Sequence, residues 1–385
     1  MSPMHAVSAH IAVIGAGPAG SFAAARLARA GLDVCLIERQ RFPRDKVCGE
    51  CLSALGIDVL HRHGLHQVVD ALRPAVLTHV ALVDAAGGTA VHTLPRPMWG
   101  LTRRQMDLAL RDAAVEAGAR LLQPVRVESV TPPGPDRPGG RQRLRCRDAD
   151  NRCFELEAAL VLLADGKAAF APQKPPTTGD LGVKFHLTGV TFDPHTIALF
   201  TLDGHYGGLA PVEAVARTPV WNVAMSVPER RVRAFAGKLE QLWADVCQRQ
   251  PWLAEVARDA TLVTPPLACP LPRFAVQPRW REGQIPLGNA AAALEPIGGE
   301  GMGLALRSAE LATDAVLAAV ARGGEVDYSR LRAEYRRLWR VRRPACRAVA
   351  MAMSSPPVSR RLVPLSRVAP AATAAVLRLM GKAST

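Results

Sequence analysis

The clearest hydrophobic pattern lies near the start of the chain. Ile11-Ala12-Val13-Ile14 is an unbroken apolar run, the mark of a strand buried on both faces, and it stops at Gly15-Ala16-Gly17-Pro18-Ala19-Gly20. Helical spacing follows over residues 18–30, Gly31 ends it, and a second apolar run, Val34-Cys35-Leu36-Ile37, leads into Glu38. The order strand, glycine turn, helix, strand predicts a parallel βαβ unit. Downstream the pattern predicts a helix over 53–63, strands over 76–83 and 89–94, a helix over 103–117 capped by Gly118, and a strand group over 121–130 and 143–163. The proline- and glycine-rich stretch 131–140 reads as a surface hairpin loop. From 180 to 281 the texture changes to short β-like runs, 182–187, 196–202 and 219–227, followed by a helix over 228–249. A short strand at 285–288, a long helix over 303–322 and further helices complete the chain.

This places the chain in the α/β class, with a Rossmann-like domain, an inserted and mainly antiparallel β-sheet substrate domain, and C-terminal helices. The Rossmann-like domain comprises residues 1–180 and 283–345, the substrate domain 181–282, and the helical tail 346–385. In the first βαβ unit, Gly15 permits the tight turn, Gly17 lets the backbone approach a pyrophosphate, and Gly20 lets the helix pack against the strand. Pro18 and Ala19 open a helix whose N–H groups and dipole face that pyrophosphate. Glu38 arrives where an acid would bond ribose hydroxyls.

Composition narrows the alternatives. A 385-residue chain that is 49% hydrophobic and 21% charged is globular, and its longest apolar runs are too short to span a bilayer. Eight cysteines without regular spacing point to a reducing compartment, and no secretory signal precedes the first strand, so a cytoplasmic location is expected. The net charge of +14 favours anionic neighbours. Its scattered arginines, with 5% aromatics and no recognised module, argue against nucleic acid. Residues 330–343 are densely basic and 362–380 intermittently apolar, a pattern open to peripheral contact with an anionic membrane, to an acidic carrier protein, or to a solvated helix face.

Four further segments, read with the fingerprint, carry a family resemblance. They are Arg41-Phe42-Pro43-Arg44-Asp45-Lys46-Val47-Cys48-Gly49-Glu50-Cys51-Leu52-Ser53; Arg103-Arg104-Gln105-Met106-Asp107; Leu160-Val161-Leu162-Leu163-Ala164-Asp165-Gly166-Lys167; and residues 288–303, from Gly288-Asn289-Ala290-Ala291 through Glu295-Pro296 to the turn Gly298-Gly299-Glu300-Gly301-Met302-Gly303. The chain resembles the FAD-dependent oxidoreductases that include the geranylgeranyl reductases, the aromatic-ring hydroxylases and, more distantly, the flavin-dependent halogenases. The resemblance implies noncovalent FAD. It implies contacts from Gly15, Gly17, Pro18, Ala19, Gly20, Glu38, Arg39, Val125 and Arg103; from Arg44, Cys48 and Gly49 in the loop beside the flavin; and from Asp165, Gly166, Gly288, Asn289, Gly299, Gly301 and Met302. Two departures stand out: Ala168 and Ala169 occupy positions where most members continue toward a serine, and Asn289 replaces the usual aspartate while keeping a hydrogen-bonding side chain.

Cys48 and Cys51 form a C-x-x-C. No further ligands at metal spacing accompany it, so no metal is expected, and it is open to a redox dithiol or to two small residues packed in a crowded loop. Cys48, Glu50 and His186 are the candidate catalytic groups, with Lys184 beside His186 on the first strand of the substrate sheet, and His186 reads more readily as a structural histidine than as a catalytic one. The resemblance implies electrons from NADH or NADPH. Halogenation is disfavoured because the tryptophan-containing stretch nearest that branch's Trp-x-Trp-x-Ile-Pro is only Val220-Trp221-Asn222-Val223-Ala224. The expected activity is hydroxylation of a hydrophobic, aromatic or polyketide-like substrate, free or carrier-bound. The alternatives are alkene reduction of a prenyl or lipid substrate and, in another class, a non-catalytic flavin-binding maturation or carrier component.

Overall fold

A computed structural model of the chain describes residues 7–134, 140–166, 169–170, 177–215, 218–272, 276–277 and 279–382. Ala168 and residues 135–139 of the expected loop lie outside them. Among the described residues the strands form two sheets, of seven and nine strands. The seven-stranded sheet is the nucleotide-binding layer. Val7–Ile14 lies at its centre, parallel to Val34–Ile37 on one side and to Cys153–Leu163 on the other, with Arg120–Leu122 outside Val34–Ile37. All four residues of Val34–Ile37 are buried, as a parallel strand covered on both faces requires. The end of Cys153–Leu163 also pairs in parallel with Gln284–Pro286, which returns the chain to this sheet beside the glycine turn.

The helix Pro18–Arg29 packs its alanine-rich face on the sheet, with Phe22 wholly buried, and the long helix Gly301–Ala321 packs beside it. Gly15 and Gly20 set this close approach. A Cβ on Gly20 would fall 1.9 Å from the Gly15 carbonyl oxygen, and Gly15 itself takes a φ of 102°.

The second sheet is broader than the 181–282 segment. Its order runs Thr261–Leu262, Thr177–Thr188, Thr218–Pro228, His205–Val215, Thr196–Leu202, Ala75–Val83, Thr89–Gly100, Cys51–Leu52, with Leu267–Pro272 also paired to Thr177–Thr188. Three of these strands come from residues 51–100. Their inner face, Leu77, Val80, Leu94 and Met98, clusters with Ile197 and Ala210 from the later strands, and only this joining takes it out of water. The strand expected to stop at Leu94 runs on to Gly100, because its ladder skips from Thr93 to Met98 at an irregularity that accommodates Pro95 and Pro97. The helix expected over 228–249 is two, Glu229–Ala234 and Leu239–Arg249, broken where Ala236 and Gly237 take left-handed φ values of 50° and 79°.

Candidate functional site

The glycine turn, the loop 46–51, the start of the helix at Arg103 and the second glycine-rich turn at 288–302 converge on one cleft between the layers. Gly17, Pro18, Ala19, Cys48, Gly49, Glu50, Arg103, Gly166, Gly288, Asn289, Gly299, Gly301 and Met302 all border it, so segments nearly 290 residues apart are brought to one place. The backbone leaves room for a large ligand. A Cβ on Gly49 or Gly301 would meet nothing within 4 Å, and one on Gly17 would meet only the Arg103 Nη2, at 3.6 Å. The helix Gly301–Ala321 opens into this space. Its Ser308 hydroxyl accepts a hydrogen bond from the Gly288 N–H (2.8 Å) and fixes the turn that carries Asn289, whose side chain is exposed at the mouth.

The cleft is cationic on the fingerprint side. Arg103 is buried and locked fork-to-fork on Asp107, Nε to Oδ1 at 2.7 Å and Nη2 to Oδ2 at 2.6 Å. Arg44 lies over the Phe42 ring and pairs with the same carboxylate at 3.0 Å, and its Nε is buried without a hydrogen-bond partner among the described residues. Lys46 completes the group. Burial, and then the positive charges of Arg103 and Arg44, lower its pKa to about 8. Two carboxylates, Asp107 and Glu38 (3.7 Å from Arg44), thus face three cations, a surplus of positive charge beside Gly17 that suits a pyrophosphate. A glycine cradle, a helix start and cations in surplus over their carboxylates together fit the ADP half of FAD.

The remaining expected residues stand outside the cleft wall. Glu38 is buried and turned back on the glycine turn, accepting from the Ala16 N–H at 3.0 Å and the Gln40 N–H at 2.9 Å. Arg39 is exposed beyond it, and Val125 donates its N–H to the Glu38 carbonyl at 2.8 Å. Asp165 accepts from the Ala169 N–H at 2.9 Å, closing the turn that presents Gly166. Gly15 and Gly20 act through packing of strand on helix.

Loop 48–51 is bolted to the second sheet by a buried network. Glu50 has a φ of 56°, in the left-handed region, and its Oε1 accepts from Lys184 Nζ at 2.7 Å and from the Arg103 N–H at 2.7 Å. Its Oε2 lies 2.6 Å from His186 Nε2, and His186 Nδ1 lies 3.1 Å from the Thr264 hydroxyl. Burial alone would raise the Glu50 carboxyl, but the His186 hydrogen bond and the Lys184 charge outweigh it, so its pKa lies below the ordinary value. Asn222 Nδ2 donates to the Cys48 carbonyl at 3.1 Å, a second tie from sheet to loop. Cys51 donates to the Gly49 carbonyl, and burial pushes its thiol up to about 12, which suits a packed thiol rather than an exchanging dithiol.

Across the loop lies an apolar cavity of about 150 Å³ on the face of the second sheet. Leu94, Met98, Ile197, Leu199, Leu209 and Met225 form its body, and Cys48, Gly49, Cys51 and Gly299 border both cavity and cleft. Asn222 and Ala224 face the cavity, whereas Trp221 points into the core beneath the opposite face, against Phe192. At one end Tyr206 donates to buried Glu295 (2.8 Å), whose other oxygen holds Arg347 (2.9 Å). The far wall comes from the tail. The helices Pro356–Val368 and Pro370–Lys382 meet at 111° over strand Thr89–Gly100, and Leu377, Met380 and Lys382 line the cavity. Lys382 Nζ donates to the Gly298 carbonyl and lies 3.6 Å from the buried Glu300 carboxylate. Among the described residues no helix is long and apolar enough to cross a membrane.

The sequence reading missed Lys46 and the tail as site components, and it placed Lys184 near the flavin without its partner Glu50. Lys46 carried a signal, a third cation within Arg44-Asp45-Lys46. Lys184 meets Glu50 across 134 residues, and no local pattern announces such a contact.

Comparison with known proteins agrees with this geometry. Menaquinone reductase from Mycolicibacterium smegmatis is 26% identical over 354 residues, covering 83% of this chain and 78% of that protein. Digeranylgeranylglycerophospholipid reductase 2 from Methanopyrus kandleri is 25% identical over 334 residues, covering 80% and 77%. Among solved structures the flavin-dependent brominase Bmp2 superposes with a TM-score of 0.81 at 18% identity, covering 98% and 94%, a shared fold. Residues 8–343 match the family model described as FAD binding domain, and with the cleft built as above the chain belongs to that family, as an FAD-dependent oxidoreductase.

Proposed function

We propose that the protein reduces a carbon–carbon double bond in a long apolar, prenyl-type substrate. The observation that carries this reading is the apolar cavity sharing its Cys48–Cys51 border with the cofactor cleft. Leu94, Met98, Ile197, Leu199 and Leu209 offer an aliphatic chain dispersion contacts and no polar anchor, so the chain is bound by exclusion of water. The names of the two aligned reductases, of menaquinone and of a digeranylgeranylglycerophospholipid, support the same substrate class.

Reduced FAD, when bound, supplies a hydride to one alkene carbon. Gly17, Gly49 and Gly301 give it room, and Arg103 and Lys46 balance its phosphates. The second alkene carbon takes a proton, and Cys48, a residue that borders both spaces, is placed to deliver it. Glu50, Lys184 and His186 serve as positioning residues that hold the Cys48 loop against the sheet. Leu377 and Met380 keep water from the cavity.

Hydroxylation is the second reading, favoured by the same apolar cavity, since exclusion of water also protects oxygen chemistry from side reactions. Incubating the holoenzyme with NADPH or NADH and a polyprenyl substrate separates the two. Product gaining two hydrogens under anaerobic conditions supports alkene reduction. Product gaining one oxygen, with oxygen uptake coupled to substrate, overturns it in favour of hydroxylation. Ala224→Trp, which fills the cavity, should abolish turnover and leave FAD absorbance unchanged.

A further inference from the structure

A second concave site lies on the other side of the Arg347–Glu295 pair, between the helices Tyr328–Arg340 and Arg342–Met353 and the segment at Val276–Gln277 and Trp280. It is a groove of about 750 Å³. Arg332, Arg336 and Arg340 recur at four-residue spacing along one face of the first helix, and Arg343 and Arg347 repeat that spacing on the second, so all five arginines line the same groove. Arg347 is paired with Glu295, and Arg332 donates to its own helix backbone at Tyr328. Arg336 and Arg340 are exposed, and with Arg343 they have no carboxylate within ion-pair distance among the described residues.

The floor is aromatic. Trp280 meets Tyr335 edge-on at 5.2 Å, and Tyr335 tilts against Trp339 at 5.7 Å. Trp339 is 1% exposed, and its indole N–H and that of Trp280 are both buried with no hydrogen-bond partner among the described residues. A basic helix face that only keeps a protein soluble is flat and needs neither an aromatic floor nor unpaired indole donors. Groove volume, uncompensated guanidiniums and a ring surface are the ingredients of a small-molecule anion site.

We propose that this groove binds an organic diphosphate, with its phosphates on Arg336, Arg340 and Arg343 and its remaining portion laid against Trp280. Arg336 and Arg340 stand one helical turn apart, about 5–6 Å between Cβ atoms, which lets two guanidinium forks grip neighbouring phosphates. Two sources share this chemistry, a nicotinamide dinucleotide and a prenyl diphosphate. The site is separate from the cleft and the cavity, and it stands whether or not the alkene-reductase reading does.

The test is calorimetric titration of the FAD-loaded protein with inorganic diphosphate, followed by competition with NADPH, NADH and a prenyl diphosphate. Diphosphate should bind the wild type with an affinity that falls steeply as salt rises. Arg336→Gln/Arg340→Gln should weaken it about tenfold or more, because two charge-assisted hydrogen-bonding groups are lost. Both side chains are exposed, so the variant's FAD spectrum should be unchanged and reports that the fold survives. Competition by a dinucleotide assigns the groove to that ligand, competition by the prenyl diphosphate alone assigns it to a substrate headgroup, and either supports the site. No diphosphate binding by the wild type, or equal affinity in the double variant, overturns it. So does binding confined to anionic vesicles, which would make the face a membrane contact.

Discussion

Replacing Glu50 by glutamine keeps the shape of the buried hub and removes its charge. In the wild type the carboxylate takes Lys184, the Arg103 N–H and His186 at 2.6–2.7 Å. The amide oxygen of glutamine can retain Lys184 and Arg103, and its NH₂ would then face His186 Nε2. The imidazole can adapt by protonating Nδ1 toward Thr264 and accepting at Nε2. Lys184 cannot adapt as cheaply, because it is 1% exposed and its next carboxylate oxygen, on Asp45, lies 3.8 Å away. Glu50→Gln should therefore cost about 3–5 kcal/mol, the range for breaking a buried ion pair by removing one partner, a large share of a total of about 5–15 kcal/mol. Lys184→Met in the Glu50→Gln background removes the stranded ammonium, so the double variant should recover at least about 2 kcal/mol. Urea denaturation of the FAD-loaded proteins, followed by far-UV circular dichroism, measures all three. A loss below about 1 kcal/mol for Glu50→Gln, or additive losses in the double variant, would refute the electrostatic account. The pH dependence gives an independent check. Because the folded pKa of Glu50 lies below its unfolded value, the stability it contributes is complete above the unfolded value, about 4.3, and is lost as pH falls through the folded one. Wild type should lose more stability than the double variant on acidification.

Gly17→Val should fold with nearly wild-type stability and lose FAD, since its Cβ enters open cleft, whereas Gly20→Ala should lose stability from its overlap with the Gly15 carbonyl; absorbance of released FAD and urea midpoints distinguish them. Asn289→Asp should keep FAD and Asn289→Leu should lose it, read by flavin retention on gel filtration; equal retention would show that Asn289 does not face the cofactor. Flavin affinity of the apo-protein should fall as pH rises through about 8, where Lys46 loses its proton, and Lys46→Met should flatten that dependence in a fluorescence titration.

The nucleotide layer was legible because backbone geometry constrains it. A turn that must pass under Ala164 and a helix that must touch Gly15 demand glycine at fixed spacing, and those demands are written locally at Gly15 and Gly20. The substrate sheet was less legible for the opposite reason. Its strand His205–Val215 reads neither as alternation nor as an apolar run, since Gly207 is there to let Phe200 lie across it, where a Cβ would come within 2.3 Å of the ring. The partition of residues 51–100 between layers is decided by pairings such as Thr196 with His79, which no window of local sequence contains. The same holds for Glu50, whose nearness to the flavin loop was readable and whose neutralisation by Lys184 was not.

Every residue bordering the cofactor cleft lies at or before Ala305, whereas the cavity's far wall is Leu377, Met380 and Lys382. The two halves of the site therefore become available at different moments of synthesis. A nascent chain that has emerged through residue 321 contains every residue that lines the cleft, but its apolar cavity still lacks a wall. The cavity is enclosed only once some sixty further residues have been added and the bent tail lies over strand Thr89–Gly100. Translation order thus separates the residues that line the redox site from those that close the compartment beside it.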